Sequence, residues 1–112
     1  MKHIIVLLAI LLGFSAQAQE KKNKNAKYDI EVNGNCEQCK KRIEKAAYAV
    51  PGVKSAVWHM DDHMLHLILN EEKTSPLHVK NAIAKAGHDT DEVKATDKDY
   101  AALHSCCLYQ RK

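Results

Sequence analysis

This chain has few aromatic residues, few turn-forming residues and little excess charge. Aromatic side chains make up 5% of the 112 residues, and only four glycines and two prolines are present. No proline-rich, glycine-rich or other low-complexity tract is found. The formal net charge of +3 is small, whereas nucleic-acid-binding domains usually carry a strongly basic surface. We therefore expect no nucleic-acid partner.

The residue patterns on which common enzymes depend are also missing. The sequence contains no glycine-rich phosphate loop, no serine, histidine and aspartate in the order of a known hydrolase, and no paired carboxylates placed for acid–base work. Asp61 and Asp62 are neighbours in a polar segment and are more typical of a turn than of a catalytic pair. We therefore predict that the protein is not an enzyme.

The N-terminal residues have the pattern of a targeting segment. Lys2 provides a basic start, residues 4–14 form an apolar run, and residues 16–18 read Ala-Gln-Ala, a small-x-small cleavage pattern. The run is too short to span a bilayer. We predict a signal peptide over residues 1–18, a periplasmic or secreted protein, and no membrane attachment after cleavage. Residues 19–27 are basic and without periodicity, which predicts a flexible linker.

The segment from residue 28 to residue 95 alternates between the periodicities of strands and helices. Strand-like alternation predicts strands over 28–32, 53–60 and 65–69, while helical stripes predict helices over 39–50 and 76–86. The short segment 88–95, in which Val93 is the clearest apolar residue, is predicted to be a weak fourth strand. The predicted order is β-α-β-β-α-β. We expect an α+β fold in which two helices cover one face of a four-stranded antiparallel sheet.

A C-terminal extension follows, over residues 96–112. Residues 97–104 are predicted to form a short helix capped by Asp97, and the adjacent cysteines Cys106 and Cys107 come directly after it. A return segment of this length is sufficient to reach the opposite end of a strand of about 17–20 Å.

Two cysteines mark the transition from the first predicted strand to the first predicted helix. Cys36 and Cys39 are separated by two residues and follow Gly34, which permits a tight bend. A helix N-terminus and the basic residues 40–42 favour thiolates at this place. Soft thiolates select ions such as Cu(I) and Zn(II). We predict that Cys36 and Cys39 bind a metal ion, with a redox-active or structural disulfide as the alternative.

Residues 28–95 resemble the heavy-metal-associated domain family, which includes small copper chaperones, metal-binding modules of copper-transporting ATPases and a periplasmic mercury-binding protein. The resemblance is carried by the leucine-rich third strand and by three short motifs: Gly34-x-Cys36-x-x-Cys39, Pro51-Gly52-Val53 and Ala86-Gly87. It implies a ferredoxin-like fold. It also implies that both cysteines bind a soft ion such as Cu(I) in near-linear or trigonal geometry.

The chain departs from the family pattern at two positions. Asn35 alone stands between the glycine and the first cysteine, where the family commonly has Met-Thr. His88 replaces an aromatic residue that faces the metal loop in the family. The resemblance therefore makes His88 a further candidate ligand or a pH-sensitive neighbour of the site.

Three roles remain open for Cys106 and Cys107. They complete a multi-thiolate site with Cys36 and Cys39, or they form structural disulfides with that pair. As a third role, they act separately, by holding a second ion or by joining two chains. The sequence alone does not select among these roles.

The functional hypothesis is an exported protein that binds a soft metal ion, with Cu(I) favoured over Zn(II) or Hg(II). It would capture, transfer or detoxify the ion by exchange of thiolate ligands with a metal-transport protein or another donor or acceptor. We expect a monomer or a weak metal-bridged dimer. The alternatives are a periplasmic thiol/disulfide redox protein and an interaction module stapled by disulfides.

Overall fold

A three-stranded antiparallel sheet forms the base of the fold. The computed structural model describes residues 22–111. Its strands are β1 (Ala26–Glu31), β2 (Val53–Trp58) and β3 (Met64–Leu69), in the order β1-β3-β2. The central strand β3 pairs antiparallel with both neighbours. The predicted signal peptide, residues 1–18, and the first residues of the predicted linker lie outside the described part of the chain.

Alternation along β3 decides which face of the sheet is covered. Leu65, Leu67 and Leu69 are buried, whereas His66 between them is exposed. Because successive side chains point to opposite faces of a strand, the three leucines share the covered face. This confirms the predicted third strand and its apolar side.

Two helices bury their apolar stripes against this sheet. Helix α1 (Glu37–Tyr48) and helix α2 (Pro76–Lys85) pack against each other, and α1 also packs against β2. Residues at helical spacing face the core, among them Cys39, Ile43 and Ala47 of α1 and Val79 and Ile83 of α2. The side-chain oxygen of Ser75 accepts a hydrogen bond from the backbone N–H of His78, at 3.4 Å, and caps α2. The two-layer α+β architecture is confirmed.

The predicted fourth strand, residues 88–95, is reduced to a single bridge between Val32 and Thr90 in the described residues. The backbone N–H of Thr90 and its side-chain hydroxyl both donate to the carbonyl of Val93, at 2.8 and 3.0 Å. The buried carboxylate of Asp89 accepts the N–H of Ala95 at 2.8 Å. These local bonds fold the segment into a turn, so the pairing does not continue. Asp and Thr side chains that bond to nearby backbone groups compete with strand pairing in this way.

The start of the domain also differs from the prediction. Strand β1 begins at Ala26, two residues before the expected start. Before it, the N–H of Asn23 donates to the Glu71 side chain at 2.8 Å, and the N–H of Glu71 donates to the Asn23 carbonyl at 2.9 Å. The last residues of the predicted flexible linker are therefore bound to the loop that follows β3.

The C-terminal extension packs back onto the domain. Helix α3 (Asp97–Ala101) is shorter than the predicted helix over 97–104, and its cap is Thr96 rather than Asp97, since the Thr96 hydroxyl accepts the N–H of Asp99 at 3.1 Å. We call residues 103–111 the C-terminal strap. It contains a turn of 3-10 helix, Ser105–Cys107, that contacts α1. Within the described residues, no helix combines the length and apolar character needed to cross a membrane.

Candidate metal centre

The loop between β1 and α1 passes directly over a buried tryptophan. A Cβ atom added to Gly34 would lie 3.0 Å from the Cβ of Cys39 and 3.1 Å from the indole ring of Trp58. The indole N–H donates to the carbonyl of Val32 at 3.0 Å, which fixes the ring beneath the loop. A side chain at this position would press on Cys39 and Trp58, so glycine fits the close approach best. The space under the loop is therefore filled although the loop itself contains no methionine.

The loop places the two predicted metal ligands at the start of α1. Cys36 is the N-cap residue, with extended backbone, and Cys39 lies in the first helical turn. Their Sγ atoms are 3.4 Å apart. The thiol of Cys39 donates to the side-chain oxygen of Asn35 at 3.3 Å, which orients the buried sulfur. The predicted pair is thus brought together at a helix N-terminus.

The C-terminal strap brings the second pair of cysteines to the first. The Sγ atom of Cys36 lies 3.5 Å from that of Cys106 and 3.4 Å from that of Cys107, and the two strap sulfurs are 3.9 Å apart. All four thiols are free. Cys39 and Cys107 are buried, Cys36 is half-buried, and Cys106 is exposed. Cys36 therefore contacts the other three sulfurs, while Cys106 faces solvent.

The pKa of Cys36 is shifted toward the thiolate. Burial raises this pKa, but hydrogen bonds with the backbone N–H of Cys39 and with the thiols of Cys107, Cys39 and Cys106 lower it by more. The pKa of Cys36 is therefore about 7, against an ordinary value of 9.0. Burial raises the pKa of Cys107, and its neighbours Cys39 and Cys36 raise it further. The hydrogen bond to Cys36 raises the pKa of Cys106. Among Cys36, Cys106 and Cys107, Cys36 is therefore the first thiol to ionise in the metal-free cluster.

We expect iodoacetamide to modify Cys36 first in the reduced, metal-free protein, because the thiolate is the nucleophile. The rate at Cys36 should rise as the pH passes through about 7. Cys106 is more exposed, but its raised pKa leaves less thiolate at neutral pH. Peptide mass spectrometry after short exposures at several pH values measures this. A Cys36 rate that follows the ordinary pKa of 9.0 would contradict the expectation.

His88, the predicted additional ligand, lies in the core. It is completely buried, its Nδ1–H donates to the carbonyl of Asn33 at 2.8 Å, and its ring stacks on Tyr109 with 5.5 Å between centroids. Burial lowers the pKa of His88, which favours the neutral ring. The described ligand atoms that lie within 4.8 Å of one another belong to Cys36, Cys106 and Cys107, and this group includes no nitrogen of His88. His88 therefore holds the backbone before Gly34 through Nδ1, while its buried Nε2 has no hydrogen-bond partner among the described residues. Its role as a further ligand stays a prediction.

The basic residues beside the cysteines have structural partners. Lys40 contacts the Glu44 carboxylate at 2.6 Å and the Trp58 carbonyl at 3.0 Å. The Nε–H of Arg42 donates to the carbonyl of Ala86 at 3.0 Å, at the end of α2. These two side chains therefore connect α1 to β2 and α2. Lys41 between them is exposed and contributes its charge to the surface.

Tyr109 and Arg111 hold the strap in place, and the sequence analysis had assigned neither a role. The Tyr109 hydroxyl donates to the carbonyl of Gly87 at 2.9 Å and accepts the N–H of Asp89 at 2.8 Å. The Arg111 guanidinium contacts both oxygens of the Asp89 carboxylate, at 2.9 and 3.0 Å. An apolar and aromatic pair directly after two cysteines, Leu108-Tyr109, was the only signal that the tail returns to the core.

The family of the chain follows from a direct match. The model of the heavy-metal-associated domain matches residues 30–89, which is more than half of the sequence. The chain therefore belongs to the heavy-metal-associated domain family. The match ends before the strap, so Cys106 and Cys107 lie beyond the region that the family shares.

Individual relatives agree with this assignment. The copper chaperone CopZ of Staphylococcus epidermidis is 33% identical over 61 residues, which cover 54% of this chain and 90% of CopZ. Among solved structures, a CopZ metallochaperone has a TM-score of 0.56 at 26% identity and covers 58% of this chain and 98% of its own.

Two further structures extend the likeness. The N-terminal domain of a potential copper-translocating P-type ATPase from Bacillus subtilis, in its Cu(I)-loaded state, has a TM-score of 0.56 at 25% identity, covering 59% and 84% of the two chains. Oxidized MerP from Ralstonia metallidurans CH34, at 22% identity and a TM-score of 0.52, covers 59% of this chain and 96% of its own and shares the fold.

Proposed function

We propose that this protein is an exported carrier of a soft metal ion, with Cu(I) the favoured cargo, and that Cys36 and Cys39 are its primary ligands. The observation that carries the proposal is the pair of free thiols whose sulfurs are 3.4 Å apart at the N-terminus of α1. Thiolates are soft ligands that suit Cu(I). Membership in the heavy-metal-associated family and the likeness to a copper chaperone support the choice of cargo.

Electrostatics at the loop favour capture of a cation at neutral pH. A metal ion binds the thiolate, so a thiol must lose its proton before or during binding. The Cys36 thiol, with a pKa of about 7, is already partly ionised there. The positive end of the α1 dipole offsets the negative charge of the two sulfurs. Capture therefore needs little free energy for deprotonation of the first ligand.

Delivery proceeds by exchange of ligands. A thiolate of the acceptor forms a bond to the ion, the bond from the ion to Cys36 or Cys39 breaks, and the freed sulfur keeps its electron pair. The oxidation state of the ion does not change. The half-buried Cys36 can be approached by an acceptor, whereas Cys39 is covered. The partner is a metal-transport protein or another thiolate-bearing donor or acceptor. We propose a monomer, with a metal-bridged dimer as its weakly associated form.

A competition titration tests this function. The chain from residue 19 onward, reduced and handled without oxygen, is titrated with Cu(I) against a chromophoric Cu(I) chelator, and its thiols are then alkylated. We expect stoichiometric binding and protection of Cys36 and Cys39. A reduced, folded protein that leaves all the Cu(I) with the chelator would refute the proposal.

The second candidate is a thiol/disulfide redox protein. It is favoured by the lowered pKa of Cys36 and by sulfurs that lie within 3.4–3.5 Å of it. Equilibration with a dithiol buffer of known potential separates the two functions. A carrier keeps its thiols reduced and shielded when Cu(I) is present. A redox protein forms a disulfide that exchanges rapidly with the dithiol buffer, and Cu(I) does not change this exchange.

A further inference from the structure

The C-terminal strap adds sulfurs to a site that the family match does not include. We propose that Cys106 and Cys107 are metal ligands and form, with Cys36 and Cys39, one multi-thiolate site for a soft ion. This proposal rests on the proposed function and specifies its ligand set. It replaces a two-sulfur site with a site of three or four sulfurs, in which Cys36 contacts every other member.

The distances between the sulfurs fit a shared ion. A metal–sulfur bond of about 2.3 Å in a tetrahedral site gives sulfur–sulfur separations of about 3.8 Å. The four separations found between neighbouring sulfurs of the cluster are 3.4, 3.4, 3.5 and 3.9 Å. Cys36, Cys106 and Cys107 alone already place three sulfurs within 4.8 Å of one another. A small contraction or expansion is therefore enough for one ion to bond to at least three of them.

The strap is fixed on both sides of the cysteine pair. Before it, Leu103 is buried in the core. After it, Tyr109 is hydrogen-bonded to Gly87 and Asp89, and Arg111 is paired with Asp89. A loose tail would have to lose conformational entropy to bring its sulfurs to the loop, whereas these contacts have already ordered it. The site is thus preorganised.

A purely structural role accounts for only one of the two strap cysteines. Free cysteine often fills core space as a small apolar side chain, and buried Cys107 fits that role. Cys106 does not, because it is exposed and its thiol contacts Cys36 at 3.5 Å and the side-chain oxygen of Gln38 at 3.4 Å. The Cys106 sulfur lies on the solvent-exposed side of the cluster, where an entering ion would contact it first.

Positive charge lies beside the strap sulfurs. A groove next to Cys107 is lined by the first two turns of α1 and by the strap: Gln38, Lys41, Arg42, Lys45, His104 and Cys107. One monovalent ion with three or four thiolates carries a net negative charge. Lys41 and Lys45 are exposed on this side of α1 and reduce that charge. The same surface is suited to an acidic acceptor.

X-ray absorption and alkylation test the ligand set. The Cu(I)-loaded protein from residue 19 onward should show three or more sulfur neighbours per ion and protection of Cys106 and Cys107. The double variant Cys106→Ser/Cys107→Ser should show two neighbours and a dissociation constant raised by at least about tenfold, the lower end of what the loss of even a supporting residue costs at a metal site. Ser105→Ala, in the same turn, is the matched control and should match the wild type.

Two single variants repeat the test if the double variant does not fold. Cys106→Ser alters only an exposed side chain, and Cys107→Ala avoids burying a hydroxyl. Two sulfur neighbours in the wild type, with strap cysteines alkylated as fast as in the metal-free protein, would overturn the proposal and leave the carrier function intact. Absence of Cu(I) binding by the reduced wild type would instead overturn both.

Discussion

Cys36→Ser should cause the largest loss of Cu(I) affinity of any single substitution in the chain. Its sulfur contacts the other three at 3.4–3.5 Å, so its removal leaves every remaining pair without the shared ligand. Removal of a residue that merely supports a ligand costs roughly 10–100-fold in metal affinity. The loss of Cu(I) affinity in Cys36→Ser should exceed that range, as measured by competition against a chromophoric chelator. Cys39→Ser should also abolish stoichiometric binding by the primary pair, but it leaves the other three sulfurs close together.

Surface histidines provide the control for this experiment. His59 and His66 lie edge to face at 4.7 Å on the outer side of the sheet, and His66 contacts the carboxylate of Asp29 at 2.7 Å. His59→Ala and His66→Ala should leave Cu(I) affinity unchanged, because the ligand atoms that lie within 4.8 Å of one another include no nitrogen of either ring. Circular dichroism should confirm that the serine variants are folded. Wild-type affinity in both folded cysteine variants would show that Cys36 and Cys39 are not the ligands.

Periodicity predicted the parts of the fold that apolar side chains determine. The leucines of β3 and the stripes of α1 and α2 repeat over enough residues to fix both the type of each element and its buried face. The segment 88–95 has no such repeat. There, buried Asp89 and Thr90 satisfy local backbone groups, and their side-chain hydrogen bonds decide the shape of the chain. These bonds join residues only three and six positions apart, but they leave no apolar repeat in the sequence by which the turn could be recognised.

The candidate site was only partly accessible from the sequence because residues far apart in the chain assemble part of it. The spacing of Cys36 and Cys39 on a strand-to-helix loop is local, so it could be recognised directly. The meeting of Cys106 and Cys107 with that loop depends on Tyr109 and Arg111, which act on residues about twenty positions earlier. His88 is a predicted ligand because the family places that position near the loop. Its Nδ1–H donates to a backbone carbonyl, as the second ring nitrogen of a ligating histidine often does, so the ligand role stays a prediction.

Arg111→Ala should cause the largest loss of stability among substitutions of the strap. The Asp89 carboxylate is 3% exposed, and it accepts the N–H of Ala95 at 2.8 Å in addition to its contact with the guanidinium. Removing one partner of a buried ion pair costs about 3–5 kcal/mol. Because the Arg111 side chain is 24% exposed, we expect about 2–4 kcal/mol in the free energy of unfolding, from urea denaturation at neutral pH. The variant also loses the contact of Arg111 with the Tyr100 ring, at 4.8 Å.

Acidic pH should reduce this loss of stability. Burial alone raises the pKa of Asp89, but Arg111 and the N–H of Ala95 together lower it below its ordinary value. In the wild type, the carboxylate therefore contributes stability above an unfolded-state pKa of about 3.9, and this contribution is lost as the pH falls through the lower folded-state value. In Arg111→Ala the buried, unpaired negative charge of Asp89 lowers the free energy of unfolding, and protonation of the carboxylate removes that charge. The difference between the two proteins should thus be largest near pH 7 and should shrink below about pH 4.

A second cation of the C-terminal extension shows whether the effect of Arg111→Ala comes from the ion pair or only from the change in net charge. Lys98→Ala removes an exposed cation from α3 and should change the free energy of unfolding by no more than about 0.5 kcal/mol at any pH. Arg111→Lys keeps the charge but loses the bidentate contact with Asp89, so its free energy of unfolding should fall between those of the wild type and Arg111→Ala.

Release of the strap in Arg111→Ala should also make Cys107 react faster with iodoacetamide, because the burial of Cys107 depends on the strap's position. Equal stability of Arg111→Ala and Lys98→Ala at neutral pH would mean that the ion pair does not hold the strap against the cluster.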